Sequence, residues 1–79
     1  MTKELIRKNL KLSSEFDTYV CNHPRALKSL SGGVNVVLTS ASDAKLSAAN
    51  ISIAHNSRSG KFVEAHKTDG SWRITAFQK

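Results

Sequence analysis

A thiol and an imidazole lie close together in this 79-residue chain, at Cys21 and His23, shortly after the carboxylate of Glu15. A cysteine beside a histidine can supply a nucleophile and its general base. On a helix, however, these two side chains would point about 160° apart, and a free cysteine more often behaves as a small buried hydrophobe. We therefore predict no catalytic residue and expect that the protein is not an enzyme.

His23, His55 and His66 could join Cys21 around a zinc ion, which accepts nitrogen and sulfur ligands. Nothing in their spacing requires that they meet. His23 precedes Pro24 and is better interpreted as a helix-end residue whose ring bonds to the last carbonyl groups, while His55 falls off the apolar stripe of its own helix. The sequence predicts neither a metal site nor a cofactor.

Twelve Lys and Arg against six Asp and Glu give a net charge of +6, which makes polyanions such as nucleic acid conceivable partners. Basic residues recur in the last third of the chain, at Arg58, Lys61, Lys67 and Arg73. With Trp72 among them they could form a basic strip that follows a phosphate backbone while the ring stacks on a base. The alternative is a solvated hairpin face with the tryptophan buried in the core.

Thr39, Ser40 and Ser42 follow a buried strand and precede a helix, where open α/β sheets present ligand sites and free backbone N–H groups attract anions. Against this, Asp43 would repel an anion, and no glycine-rich phosphate-binding string is present. A small anionic ligand at this loop is one hypothesis. The other is that Ser40 and Asp43 only approximate a capping box for the next helix.

The elements that position these residues begin with an amphipathic helix, which Thr2 caps and which ends near Asn22, before Pro24. Its apolar side chains fall within one arc at 100° per residue. They are Leu5, Leu12, Phe16, Tyr19 and Val20, with Ile6 at the margin.

The later elements are a short helix over 25–30, a strand over 34–39, a helix that runs from the turn at 40–43 to about Ser57, and strands over 61–67 and 72–78. Asp69 and Gly70 predict a tight hairpin between the last two strands. The strand, helix, strand order implies a right-handed parallel crossover. The predicted fold class is α/β (α+β) in the order α-α-β-α-β-β, with one domain over 1–79 and a three-stranded mixed sheet packed against helices.

The third helix has Leu46, Ala49 and Ile53 as its predicted buried stripe and Gly60 as its terminator. Ile51 lies almost opposite this stripe and needs another partner. A three-stranded sheet is also expected to expose both of its edges, which invite pairing. Together with the short chain, these features predict a homodimer, or a complex with another protein, as the basis of function.

A string within the first helix and its exit, residues 15–24, reads E-F-D-x-Y-x-x-x-H-P. It resembles a small uncharacterised prokaryotic family in which a similar string precedes a buried strand, a helix with a central Asn and a final β segment. The resemblance implies the fold and a prokaryotic, mobile gene cassette origin, and it carries over no functional residue. Gly32, Gly33 and the serine-rich stretch around Ser57 depart from the family pattern.

The single cysteine and the absence of an apolar run near the roughly 18 residues that span a bilayer predict a cytoplasmic protein without a membrane partner. The function predicted first is therefore a non-enzymatic binding or interaction domain that self-associates. A nucleic-acid-binding module is the second hypothesis, and a small-anion binder is the third.

Overall fold

The computed structural model describes residues 2–30, 33–57 and 60–77 and confirms the predicted order and fold class. The six elements are α1 (Lys3–Asn22), α2 (Pro24–Ser29), β1 (Asn35–Ser40), α3 (Ala44–His55), β2 (Phe62–Thr68) and β3 (Ser71–Ala76). Arg58 of the predicted basic strip lies outside the described part of the chain.

Helix α1 begins and ends as its sequence predicts. The Thr2 hydroxyl accepts the Leu5 amide at 3.2 Å, which satisfies one of the free N–H groups of the first turn. At the other end the His23 ring nitrogen Nδ1 donates to the Tyr19 carbonyl at 2.8 Å. Cys21, expected to be a small buried hydrophobe, is exposed instead, because it lies outside the apolar arc of the helix.

The sheet has the order β1-β2-β3, with β1 parallel and β3 antiparallel to β2. The predicted parallel crossover and hairpin are therefore confirmed. In the hairpin turn Asp69 has φ 41° and Gly70 has φ 85°, the two positive values that a type I′ turn requires. Residues paired in register point to the same sheet face, so the face bearing Ala65 also bears Leu38 and Ile74.

The core lies between α1, α3 and this sheet face. Ala65 is 0% exposed and Leu46 of α3 is 3% exposed. The rings of Phe16 and Trp72 meet with their centroids 4.9 Å apart and a 58° tilt, a favourable arrangement for two aromatic side chains. Trp72 is therefore a core residue, which was the alternative to its place in a basic strip.

Helix α3 is rotated relative to its predicted stripe. Ile53, expected to be buried, is 57% exposed, whereas Ala54 is 2% exposed and Ile51 is half-buried. Polar contacts cause this rotation, because hydrogen bonds between β1 and the side chains of Ser47 and Asn50 orient the helix. The helix also ends at His55 with Asn56 as its C-cap, so Gly60, at φ 105°, introduces β2 rather than terminating α3.

Side chains of α3 cover half of the outer edge of β1, which corrects the expectation of two exposed edges. The amides of Asn35 and Ala41 donate to the segment that contains β2. Because successive residues of a strand direct their N–H and C=O groups to alternate sides, the even-numbered residues between them direct these groups away from β2, to the outer edge. There Asn50 donates to the Leu38 carbonyl at 2.8 Å, and the Ser47 hydroxyl accepts the Ser40 amide at 2.8 Å. The outer edge of β3 pairs with no described strand.

Candidate functional site

Four large apolar side chains are conspicuously exposed among the described residues. Leu10 is 68% exposed, Ile53 57%, Ile6 48% and Val36 36%. Although they come from three elements, all four line one groove between α1, β1 and α3. An apolar surface gathered in this way marks a binding site more often than scattered single side chains do.

The groove has a volume of about 630 Å³ and an apolar floor. Val37 and Ala54, which are 4% and 2% exposed, form that floor. Asn9 and Asn50 add polar groups at the junction of α1 and α3, where their side chains bond to each other. The remaining lining residues are Ser13, Asn35, Leu38, Ser57 and Phe62.

The sequence interpretation missed Leu10 and Val36 as site residues. One signal was present: Leu10 is an apolar residue between polar neighbours, one turn after Ile6, on the side of α1 that is otherwise polar. Val36 gives no such signal, because it belongs to a run of β-branched residues typical of a buried strand. Only the position of β1 at the sheet edge exposes it.

The loop residues predicted for an anion site separate into two environments. The Thr39 side chain is 1% exposed and lies on the sheet face opposite the core. Its hydroxyl donates to Glu64 Oε2 at 2.6 Å and accepts from His66 Nδ1 at 2.7 Å, so both of its hydrogen-bonding directions are used. The contact with Thr39 uses Nδ1 of the His66 ring and not Nε2.

Ser40 and Ser42 stay together in the turn before α3, where their hydroxyl oxygens are 3.0 Å apart. The helix cap is Asp43 rather than Ser40, which corrects the predicted capping box: its carboxylate accepts the Leu46 amide at 3.0 Å. That bond, followed by the neighbouring Lys8 ammonium, lowers the pKa of Asp43. The anion-attracting end of α3 is therefore occupied by a carboxylate of the chain itself.

The predicted basic strip is divided by the sheet. Lys67 faces α1 and pairs with Glu15 at 2.7 Å, whereas Arg73 is the register partner of His66 and points to the opposite face. Lys61, just before β2, is exposed. The described residues therefore do not bring Lys67 and Arg73 onto one surface.

The three histidines occupy separate environments. His23 stacks on Tyr19 with ring centroids 3.9 Å apart, His55 meets the edge of Phe77 at 5.4 Å, and His66 bonds to Thr39. Within 2–30, 33–57 and 60–77, no three metal-ligating side chains lie close enough to hold an ion together.

A family model described as a family of unknown function, DUF5647, matches residues 4–66. That range is most of the chain and includes every element from α1 to nearly the end of β2. The chain belongs to the DUF5647 family. The predicted resemblance to a small uncharacterised family is thus confirmed, while the prokaryotic origin and the gene cassette stay predictions.

The part that matches the DUF5647 model contains all four exposed apolar residues of the groove, whereas Trp72 and Arg73 follow it. A search of curated proteins and a search of solved structures gave no match for this DUF5647 chain. Among its described residues, no helix combines the length and apolarity needed to cross a bilayer.

Proposed function

We propose that this DUF5647 domain acts by binding rather than by catalysis, and that it associates with a second copy of itself through the groove. The observation that carries the proposal is the convergence of Ile6, Leu10, Val36 and Ile53 on one surface. Complete transfer of an aliphatic side chain of this size from water contributes about 1.5–3 kcal/mol, and these four side chains still expose between 36% and 68% of their surface. Four such side chains on one surface therefore give association a substantial driving force.

A macromolecular surface suits this groove better than a small molecule does. Its volume falls within the usual range of ligand pockets, but such pockets enclose most of their ligand. Leu10 stands 68% exposed on the α1 side of the groove, and Ile53 stands 57% exposed on the α3 side. A ligand lying on the floor would leave both in water, whereas a protein surface laid across the groove would cover them.

The accessible area of the chain is large enough to include an interface with a second copy. It is 5604 Å², whereas a compact monomer of 8.6 kDa is expected to expose about 4,700 Å². The chain therefore exposes about 900 Å² more than that average, and a standard interface needs roughly 800 Å² from each partner. The thin shape, with extents of 32 × 29 × 17 Å, explains why so much surface stays exposed.

Sedimentation velocity over a wide concentration range tests the proposal. We expect the natural sequence to form dimers at micromolar concentration and Ile53→Lys to remain monomeric at the same concentration. Ser52→Lys is the matched control, since Ser52 is an exposed neighbour on α3 outside the groove and receives the same charge. A monomer at every concentration would refute the proposal, as would equal dimerisation of the two variants.

A further inference from the structure

The outer face of α1 carries a stripe that continues beyond the apolar pair Ile6 and Leu10. Lys3, Leu10 and Asp17 follow one another at intervals of seven residues, so they drift by only about 20° per step around the helix. All three are exposed. The stripe thus has a basic end, an apolar centre and an acidic end.

The two charged ends are symmetrical about Leu10. At 1.5 Å per residue, Lys3 and Asp17 each lie about 10 Å from it along the helix axis, in opposite directions. Neither forms an ion pair within the described residues, although Lys8 pairs with Glu4 and Asp43. A two-fold axis through Leu10 would bring Lys3 of each copy to Asp17 of the other.

The side chains between the charges also complement one another. In the same antiparallel register Ile6 would lie at the level of Ser14 of the second copy, and it would face Ser13, which is on the same side of the stripe as Ile6. Serine is small enough to leave room for an isoleucine between two helices that pack about 8–10 Å apart. The two Leu10 side chains then meet at the centre.

We propose that α1 of a second copy covers the groove in an antiparallel orientation, with Leu10 on the two-fold axis and Lys3 beside Asp17 of the second copy. This inference rests on the self-association proposed above and specifies its geometry. A surface complementary to itself is what a closed two-fold dimer requires. The charges set the direction and register of the helices, and the apolar centre supplies most of the affinity.

A charge exchange tests this register. Lys3→Glu leaves acidic residues at both ends of the stripe, and Asp17→Lys leaves basic residues at both ends. We expect each variant alone to dimerise at least about tenfold more weakly, since two attractions become two repulsions. An equimolar mixture should dimerise within about threefold of the natural sequence, because the acidic stripe of one variant would then face the basic stripe of the other. Lys11→Glu, an exposed change on α1 outside the stripe, should change the affinity by less than about threefold.

Sedimentation velocity of the single variants and of the mixture, with circular dichroism to confirm that each is folded, gives the result. Dimerisation of the natural sequence together with loss of the dimer in Ile53→Lys would support the groove interface. If neither charge variant then weakens the dimer, or if the mixture dimerises no better than the single variants, the antiparallel register is wrong and the groove interface stands. If the natural sequence never dimerises, both proposals are wrong.

Discussion

The side chains of Asn9 and Asn50 hydrogen-bond to each other in both directions, at 3.0 and 2.7 Å. The amide of Asn50 also donates to the Leu38 carbonyl at 2.8 Å. One residue of α3 therefore connects α1 to the outer edge of β1. This connection fixes the rotation of α3, and with it the exposure of Ile53 in the groove.

Removing this link should cost stability. We expect Asn50→Ala to lower the free energy of unfolding by about 1–3 kcal/mol, because the Leu38 carbonyl and Asn9 lose a partly buried partner. Urea unfolding of Asn50→Ala, of Asn9→Ala and of the double variant measures the loss and its coupling. Ser52→Ala, an exposed change on the same helix, should stay within about 0.5 kcal/mol. Strict additivity of the two asparagine variants would mean that the reciprocal bonds contribute nothing.

The Thr39 network makes a prediction about the anion hypothesis. Thr39→Val keeps the shape of the side chain but removes the hydroxyl that joins Glu64 and His66. We expect a loss of about 1–2 kcal/mol, because both partners are half-exposed and can turn to water. Inorganic phosphate should not change the melting temperature of either protein. A rise with phosphate in the natural sequence that Thr39→Val abolishes would instead support an anion site at this loop.

Asp43 should make part of the stability depend on pH. Its pKa lies below the ordinary value of 3.8, first because the Leu46 amide bonds to the carboxylate and then because Lys8 is close. A carboxyl whose pKa is lower in the folded chain stabilises fully above the unfolded value, and this contribution is lost as the pH falls through the folded value. Asp43→Asn keeps an oxygen for the cap but cannot titrate.

We therefore expect the melting temperature of the natural sequence to fall more steeply than that of Asp43→Asn between about pH 5 and pH 2. Thermal unfolding followed by circular dichroism across this range gives both slopes. Asp69→Asn is the matched control, because asparagine also accepts the positive φ of this hairpin turn. Parallel curves for the natural sequence and Asp43→Asn would contradict the assignment of the cap.

Local signals predicted the parts of the fold that local interactions build. The apolar arc and the Thr2 cap define α1 without reference to any other element, and Asp69-Gly70 defines the hairpin turn. The buried tryptophan followed from its size alone. In each case the deciding contacts join residues that are close in sequence, or reflect a general preference for burial.

The rotation of α3 and the groove could not be predicted in this way. Its aliphatic and alanine residues are distributed around the helix, so a single apolar stripe is poorly defined. Ser47 and Asn50 decide the orientation through bonds to β1, which depend on the packing of the helix beside a strand edge. The groove then gathers residues from α1, β1 and α3 that no sequence window contains together.

The basic residues of the predicted strip are divided between the two faces of the sheet. Lys67 is half-buried and paired with Glu15, and Arg73 lies on the other sheet face. The two side chains therefore do not share a surface. Contacts with phosphate that arise only from a net charge of +6 are weakened steeply by salt.

We expect labelled single- and double-stranded oligonucleotides to bind at low salt and to dissociate near physiological salt, as measured by fluorescence anisotropy. Arg73→Glu should weaken the low-salt binding no more than Lys45→Glu, an exposed change of the same charge outside the predicted strip. Binding that persists at physiological salt and is lost selectively with Arg73→Glu would make the nucleic-acid-binding hypothesis the better account of this domain, because such selectivity requires a built site rather than a diffuse positive charge.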